Sequence, residues 1–158
     1  MTEITYLRGD ATCPQAKGPK IICHICNDIG GWGKGFVLAL SKRWKQPEAE
    51  YRAWYAKRRD RELALGAVQF VPVESTIWVA NMIGQHGIKT GSSGPPIRYD
   101  AVSQCLMKVA ENALELGASV HMPRIGCGLA GGQWAKIEPL ITENLLLSNI
   151  AVTVYDFD

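Results

Sequence analysis

The sequence predicts an α/β domain: a mostly parallel sheet with helices on both faces. Two observations carry this. Apolar, β-branched runs alternate with amphipathic stretches along the whole chain. In addition, the two glycine-rich stretches "NDIGGWGKG" and "IGCGLAGG" each follow an apolar run and each open a helical pattern. The 158 residues are 47% hydrophobic. That fits one domain over 1–158, able to bury roughly 70% of the surface its unfolded form exposes.

Taken in order, 4–9 and 21–26 read as strands. Phe36, Leu40 and Trp44 recur at i, i+4 and i+8, one face of a helix. That helix should stop near Pro47, because the residue before proline avoids the α region. A second helix restarts at Pro47, whose missing N–H costs least in a first turn. Residues 67–74 and 76–83 are two strands joined by a tight turn near Glu74 and Ser75. Segment 84–96 carries four glycines and two prolines and is a loop. The helix over 97–117 places Ala101, Cys105, Val109 and Ala113 in register, with Gly117 as its stop. A strand over 118–125 follows, then a helix over 133–149 that Pro139 kinks or delays, then a strand over 151–158.

Bulk properties exclude several classes. Seventeen basic against fifteen acidic residues leave a charge of +2, so nucleic acid is not an expected partner. The cluster "KRRDRE" from Lys57 mixes signs and reads as a solvated helix end. No basic region precedes an apolar stretch at the start, and no apolar run approaches the ~18 residues of a membrane span. Five scattered cysteines fit reduced thiols, so the expected setting is cytoplasmic. Cys23 and Cys26 form a CxxC, but zinc would need a second ligand pair and a redox dithiol would open a helix. This pair ends the apolar run "KIICHIC", so both read as buried strand residues, with no metal and no cofactor expected.

The glycines point to a ligand. Glycine tolerates positive φ and lets main-chain N–H groups converge on an anion with no Cβ between them. A helix N-terminus adds partial positive charge, and parallel sheets bind ligands beyond the carboxyl ends of their strands. Two such loops suit the two walls of a pyrophosphate site. The standard dinucleotide fold does not fit. Gly126, Gly128 and Gly131 match GxGxxG but lie late in the chain, and Glu143, the acid at the right distance, falls inside a predicted helix.

These segments resemble the macrodomain family. "RGDAT" is similar to the family's GDIT, "CHICN" occupies the place of its VNAAN, "GGWGKGF" matches its first glycine loop and "MPRIGCGLAGGQW" its second. The "PRIGCGL…W" form and the closing "VTVYDF" resemble the ALC-type macrodomains, the subgroup of terminal ADP-ribose–protein glycohydrolase. The likeness covers nearly the whole chain. It implies a three-layer α/β/α macrodomain with a central mixed, largely parallel sheet, binding ADP-ribose.

Residue by residue, the resemblance implies that Asp10 bonds the adenine amino group with the Ala11 backbone beside it. Asn27 contacts the distal ribose. Gly31, Gly33, Lys34 and Gly35 close over the pyrophosphate. Trp32, inside that loop, reads on its own as a cover for the distal ribose or pyrophosphate, with packing under the loop as the other reading. Ile125, Gly126, Cys127, Gly128 and Leu129 wrap the opposite side, and Phe157 closes over adenine.

One departure matters. The subgroup's catalytic lysine is matched by Gln85, and the aspartate after its "GCGL" by Ala130. The expected activity is therefore slow release of mono-ADP-ribose from proteins, ester-linked at glutamate or aspartate, by a positioned water. Gln85 and Asn27 would place that water and the ribose hydroxyls. His86, beside Gln85, is a further acid–base candidate, whereas His24 reads as a strand histidine. The alternatives are a non-catalytic ADP-ribose reader, favoured by Ala130, and an ADP-ribose 1″-phosphate phosphatase using His24. The expected partners are ADP-ribose and mono-ADP-ribosylated proteins, and the expected state is a monomer.

Overall fold

The computed structural model describes residues 3–61, 63–89 and 94–157, without the side chains of 60 and 61. Six strands form one sheet: β1 (Thr5–Arg8), β2 (Lys20–Asn27), β3 (Val68–Glu74), β4 (Ile77–Gln85), β5 (Ser119–Met122) and β6 (Val152–Asp156). Their order is β1-β6-β5-β2-β4-β3. Every pairing is parallel except the β3–β4 hairpin. The sheet is mixed and largely parallel, as expected. Pro72 sits on β3, an edge strand, where a missing N–H costs the ladder least.

Alternation along β2 sorts its side chains to two cores. Ile21 and Cys23 pack with α4 (Tyr99–Leu116) and α5 (Trp134–Asn144). Ile22 and Cys26 pack with α1 (Phe36–Arg43) and α2 (Gln46–Ala56). The CxxC thus spans the sheet, and its sulfurs cannot share one ligand. Burial pushes both thiols up, so neither is a thiolate at neutral pH. A short α3 (Arg58–Arg61) follows α2, with Arg58 and Arg59 exposed.

Most element ends have a local cause. Gly117 takes the left-handed conformation (φ 66°) that closes α4, and the Ala118 N–H returns to the Ala113 carbonyl. Strand β5 stops at Met122 because Pro123 has no N–H to pair. Strand β4 runs two residues past its expected end, through Gln85, with a register shift against Cys26 and Asn27. Helix α5 starts at Trp134 and continues through Pro139, so the proline does not delay it. Residues 90–93 of the expected 84–96 loop lie outside the described residues.

Candidate functional site

Five of the six strands deliver site residues at their carboxyl ends, and strand order arranges them in a line. β1 and β6 bring Asp10, Ala11 and Phe157 to one side. Next come the second glycine loop after β5, the first after β2, and Gln85 at the end of β4. Between the loops runs an open cleft lined by Lys34, Gly35, Gly126, Gly128, Leu129 and Gln85, with Ile125 and Arg124 alongside. The loops nearly touch: a Cβ on Gly35 would lie 3.8 Å from Leu129 Cδ1.

The cleft walls are rich in unspent donors. Among the described residues, the backbone N–H groups of Gly33, Lys34 and Gly35 make no hydrogen bond, nor do those of Gly126, Gly128 and Leu129. The amides of Phe36 and Val37, opening α1, are also unpaired. With Lys34 beside them, they make an anion-binding cradle.

The glycines divide into two kinds. Gly126 is left-handed (φ 74°), and a Cβ there would sit 2.7 Å from Ile97 Cδ1; one on Gly132 would strike the Gly126 carbonyl. These shape the loop, which is tied by Gly132 N–H to Gly126 O at 2.7 Å. Gly33 and Gly128 have neither positive φ nor any atom within 4 Å of an added Cβ. Nothing among the described residues demands glycine at those two positions.

Two site residues need correction. Trp32 does not face the cleft: it is 6% exposed, its indole packs edge-on to His24 with centroids 5.3 Å apart, and Nε1 donates to Ser41 Oγ at 2.8 Å. An indole is too apolar to leave in solvent when α1 and α2 offer a core beneath the loop. Asn27 is likewise not a free amide. Its Oδ1 accepts the N–H of Ile29 (3.1 Å) and of Gly31 (2.9 Å), and its Nδ2 donates to the Gly31 carbonyl (3.0 Å). Tyr51, fully buried on α2, donates to the Asn27 main-chain carbonyl at 2.6 Å and lies 3.0 Å from Oδ1. Asn27 is the clamp that gives the first glycine loop its shape. Tyr51 was missed because Tyr51 and Trp54 look like ordinary helix core in sequence.

The remaining positions are varied. Asp10 Oδ1 accepts from both the N–H and the hydroxyl of Thr12, which leaves Oδ2 available; Ala11 is buried, so only its backbone can serve. Cys127 is half-buried, and its N–H is used in a turn to Arg124 O. Phe157 is 79% exposed beside that edge. Gln85 is half-buried and donates Nε2 to the Gly87 carbonyl at 2.9 Å, so Oε1 is left as an oriented acceptor. His24 lines the cleft floor but is 2% exposed, bonded through Nε2 to Asn81 Oδ1 at 2.5 Å. Burial holds its pKa down to about 4, against the Asn81 bond, so it is neutral at pH 7.

Arg124 was also missed. Its guanidinium lies over Tyr6 and Trp134 and makes a two-pronged pair with Asp156 (2.6 and 3.1 Å). That pairing fixes the cleft rim to β6, and no short-range pattern links residues 32 apart.

No family model matches the chain. A solved macrodomain protein from Streptomyces coelicolor is 60% identical, with 98% of this chain and 99% of that one covered and a TM-score of 0.88. The chain belongs to the macrodomain family. A second solved structure, a protein of unknown function from Bacteroides thetaiotaomicron, is 63% identical over 98% of each chain, with a TM-score of 0.95. Among curated relatives, chromodomain-helicase-DNA-binding protein 1-like from Danio rerio is 34% identical over 98% of this macrodomain. This macrodomain spans only 16% of that protein's length. The Homo sapiens ADP-ribose glycohydrolase OARD1 is 24% identical, with 98% of this macrodomain and 91% of the relative covered.

Proposed function

We propose that this macrodomain binds ADP-ribose along the cleft and hydrolyses it from mono-ADP-ribosylated proteins, at ester linkages to glutamate or aspartate. The observation that carries this reading is the linear site: adenine-side residues on β1 and β6, a double cradle of free N–H groups over β5 and β2, and an oriented amide oxygen at the β4 end. A base, a pyrophosphate and a distal sugar follow each other in that order along ADP-ribose. The relatives named as glycohydrolases support hydrolysis.

The chemistry proceeds without a protein nucleophile. Ala130 is buried and carries no ionisable group, and Gln85 cannot form an adduct with the sugar. Gln85 Oε1, aimed by the Gly87 bond, accepts a hydrogen bond from the attacking water. Fixing water and sugar together supplies the rate enhancement, since orientation alone can contribute on the order of 7 kcal/mol in favourable geometry. A carboxylate leaving group needs no strong acid. The reader alternative keeps one argument in its favour, the apolar Ala130.

The test is release of free ADP-ribose from a protein modified on glutamate, with wild type and Gln85→Ala in parallel. Release that falls at least tenfold in the variant supports the water mechanism. Binding without release by the wild type would favour the reader. Release of inorganic phosphate from ADP-ribose 1″-phosphate, with no action on the modified protein, would favour the phosphatase that yeast relatives are named for.

A further inference from the structure

We infer that Asp28 and His86, in the hydrogen-bonded frame of the cleft-lining Gln85, form an oriented acid–base pair in which His86 Nε2 takes the proton from the attacking water. This rests on the hydrolase reading and supplies what that reading lacks, because a carboxamide does not take up a proton near neutral pH.

The geometry is that of a base held by its orienter. Asp28 lies in the loop after β2. Its Oδ2 is 2.7 Å from His86 Nδ1, and its Oδ1 accepts the Gly87 N–H at 2.8 Å. A carboxylate can only accept, so Nδ1 carries the hydrogen of this bond and Nε2 is the ring atom left to accept a proton. The Asp28 side chain is 17% exposed and that of His86 63%, so the orienter is shielded while the ring faces solvent.

Gln85 belongs to the same frame. Its Nε2 holds the Gly87 carbonyl while Asp28 holds the Gly87 N–H, and the Asp28 N–H returns to the Gln85 carbonyl at 3.1 Å. The His86 N–H is taken by the Pro96 carbonyl at 2.9 Å. Among the described residues, Asp28 is the charged group bonded to the ring; Gly87 and Pro96 bring only backbone.

The position suits the substrate. A cleft of about 280 Å³ admits part of a nucleotide, not a protein; with the distal sugar toward Gln85, as the proposed order along the cleft has it, the bond to the carrier falls near the β4 end. In the step, the water oxygen bonds to the anomeric carbon and the carbon–oxygen bond to the acyl group breaks. The carrier carboxylate leaves with the electron pair. The water proton passes to His86 Nε2 and then to solvent, while Asp28 stabilises the imidazolium and stays ionised.

The experiment measures, for wild type, His86→Ala and Asp28→Asn, the dissociation constant for ADP-ribose and the single-turnover release of ADP-ribose from glutamate-modified protein. Each release assay is run with and without free imidazole. We expect binding within about twofold of wild type and release slowed by about 10²-fold, at the lower end of what one positioned acid–base group contributes. Imidazole should restore release in His86→Ala and leave Asp28→Asn unchanged. Release by His86→Ala within threefold of wild type, or slowed release that imidazole does not restore, would overturn the pair and leave the hydrolase reading standing. A wild type that binds ADP-ribose and releases none would overturn both.

Discussion

Gly33 and Gly128 have room for a side chain and no positive φ, yet the N–H of each, like those of Lys34, Gly35 and Leu129, has no partner among the described residues. We expect Gly128→Ala to leave folding stability within about 0.5 kcal/mol while weakening ADP-ribose binding at least tenfold, because its methyl would occupy the ligand's approach. Gly126→Ala should behave differently: a left-handed backbone and the Ile97 contact give a stability loss of about 1–2 kcal/mol. Chemical denaturation and calorimetric titration on the two variants separate the roles. Equal stability losses in both would refute the division. The run of glycines was legible in sequence, but which glycine serves the fold and which serves the ligand was not. That distinction depends on neighbours such as Ile97, distant in the chain.

At the scale of elements, the first glycine loop is held by β2 and α2 acting together. Asn27 at the strand's end takes two loop amides, and Tyr51 on the helix caps Asn27 from behind. Asn27→Ala would leave the Ile29 and Gly31 amides without their acceptor, at a cost of about 2–3 kcal/mol. The cradle would loosen, so ADP-ribose affinity should fall although Asn27 itself is turned into the loop. Tyr51→Phe should cost about 1 kcal/mol and weaken binding less. Unchanged loop protection in hydrogen exchange for Asn27→Ala would contradict the clamp. Sequence reading singled out Asn27 but not the loop bonds its amide makes, because the hydrogen-bond partners of a side chain depend on the loop's path.

For the whole molecule, two buried histidines set the response to acid. His24 and His121 each have a pKa lowered from 6.5 to about 4 by burial, with Lys20 adding to the effect at His121. His121 bridges Ser119 Oγ and the Tyr155 hydroxyl, both at 2.8 Å, and that hydroxyl accepts the Gln15 N–H. Unfolding frees both rings to protonate, so the unfolded chain binds more protons between pH 6.5 and 4. Stability is therefore full above pH 6.5 and falls as pH drops toward 4, by about 2 kcal/mol per histidine at pH 5. Urea unfolding at pH 7 and pH 5 measures this, and His121→Gln should roughly halve the difference. A midpoint independent of pH over that range would show that the rings are not buried as neutral groups.

The sequence by itself determined the α/β alternation, the two loops beyond strand ends, and the family, since apolar periodicity, glycine spacing and ordered motifs are local properties of a chain. Only the tertiary structure decided that Trp32 is core, that Asn27 is a clamp, that Cys23 and Cys26 face opposite cores, and that Asp28 meets His86. Each of those depends on which side chains a parallel sheet and its covering helices bring together. Contacts across 58 residues, as between Asp28 and His86, leave no periodic trace in a single sequence.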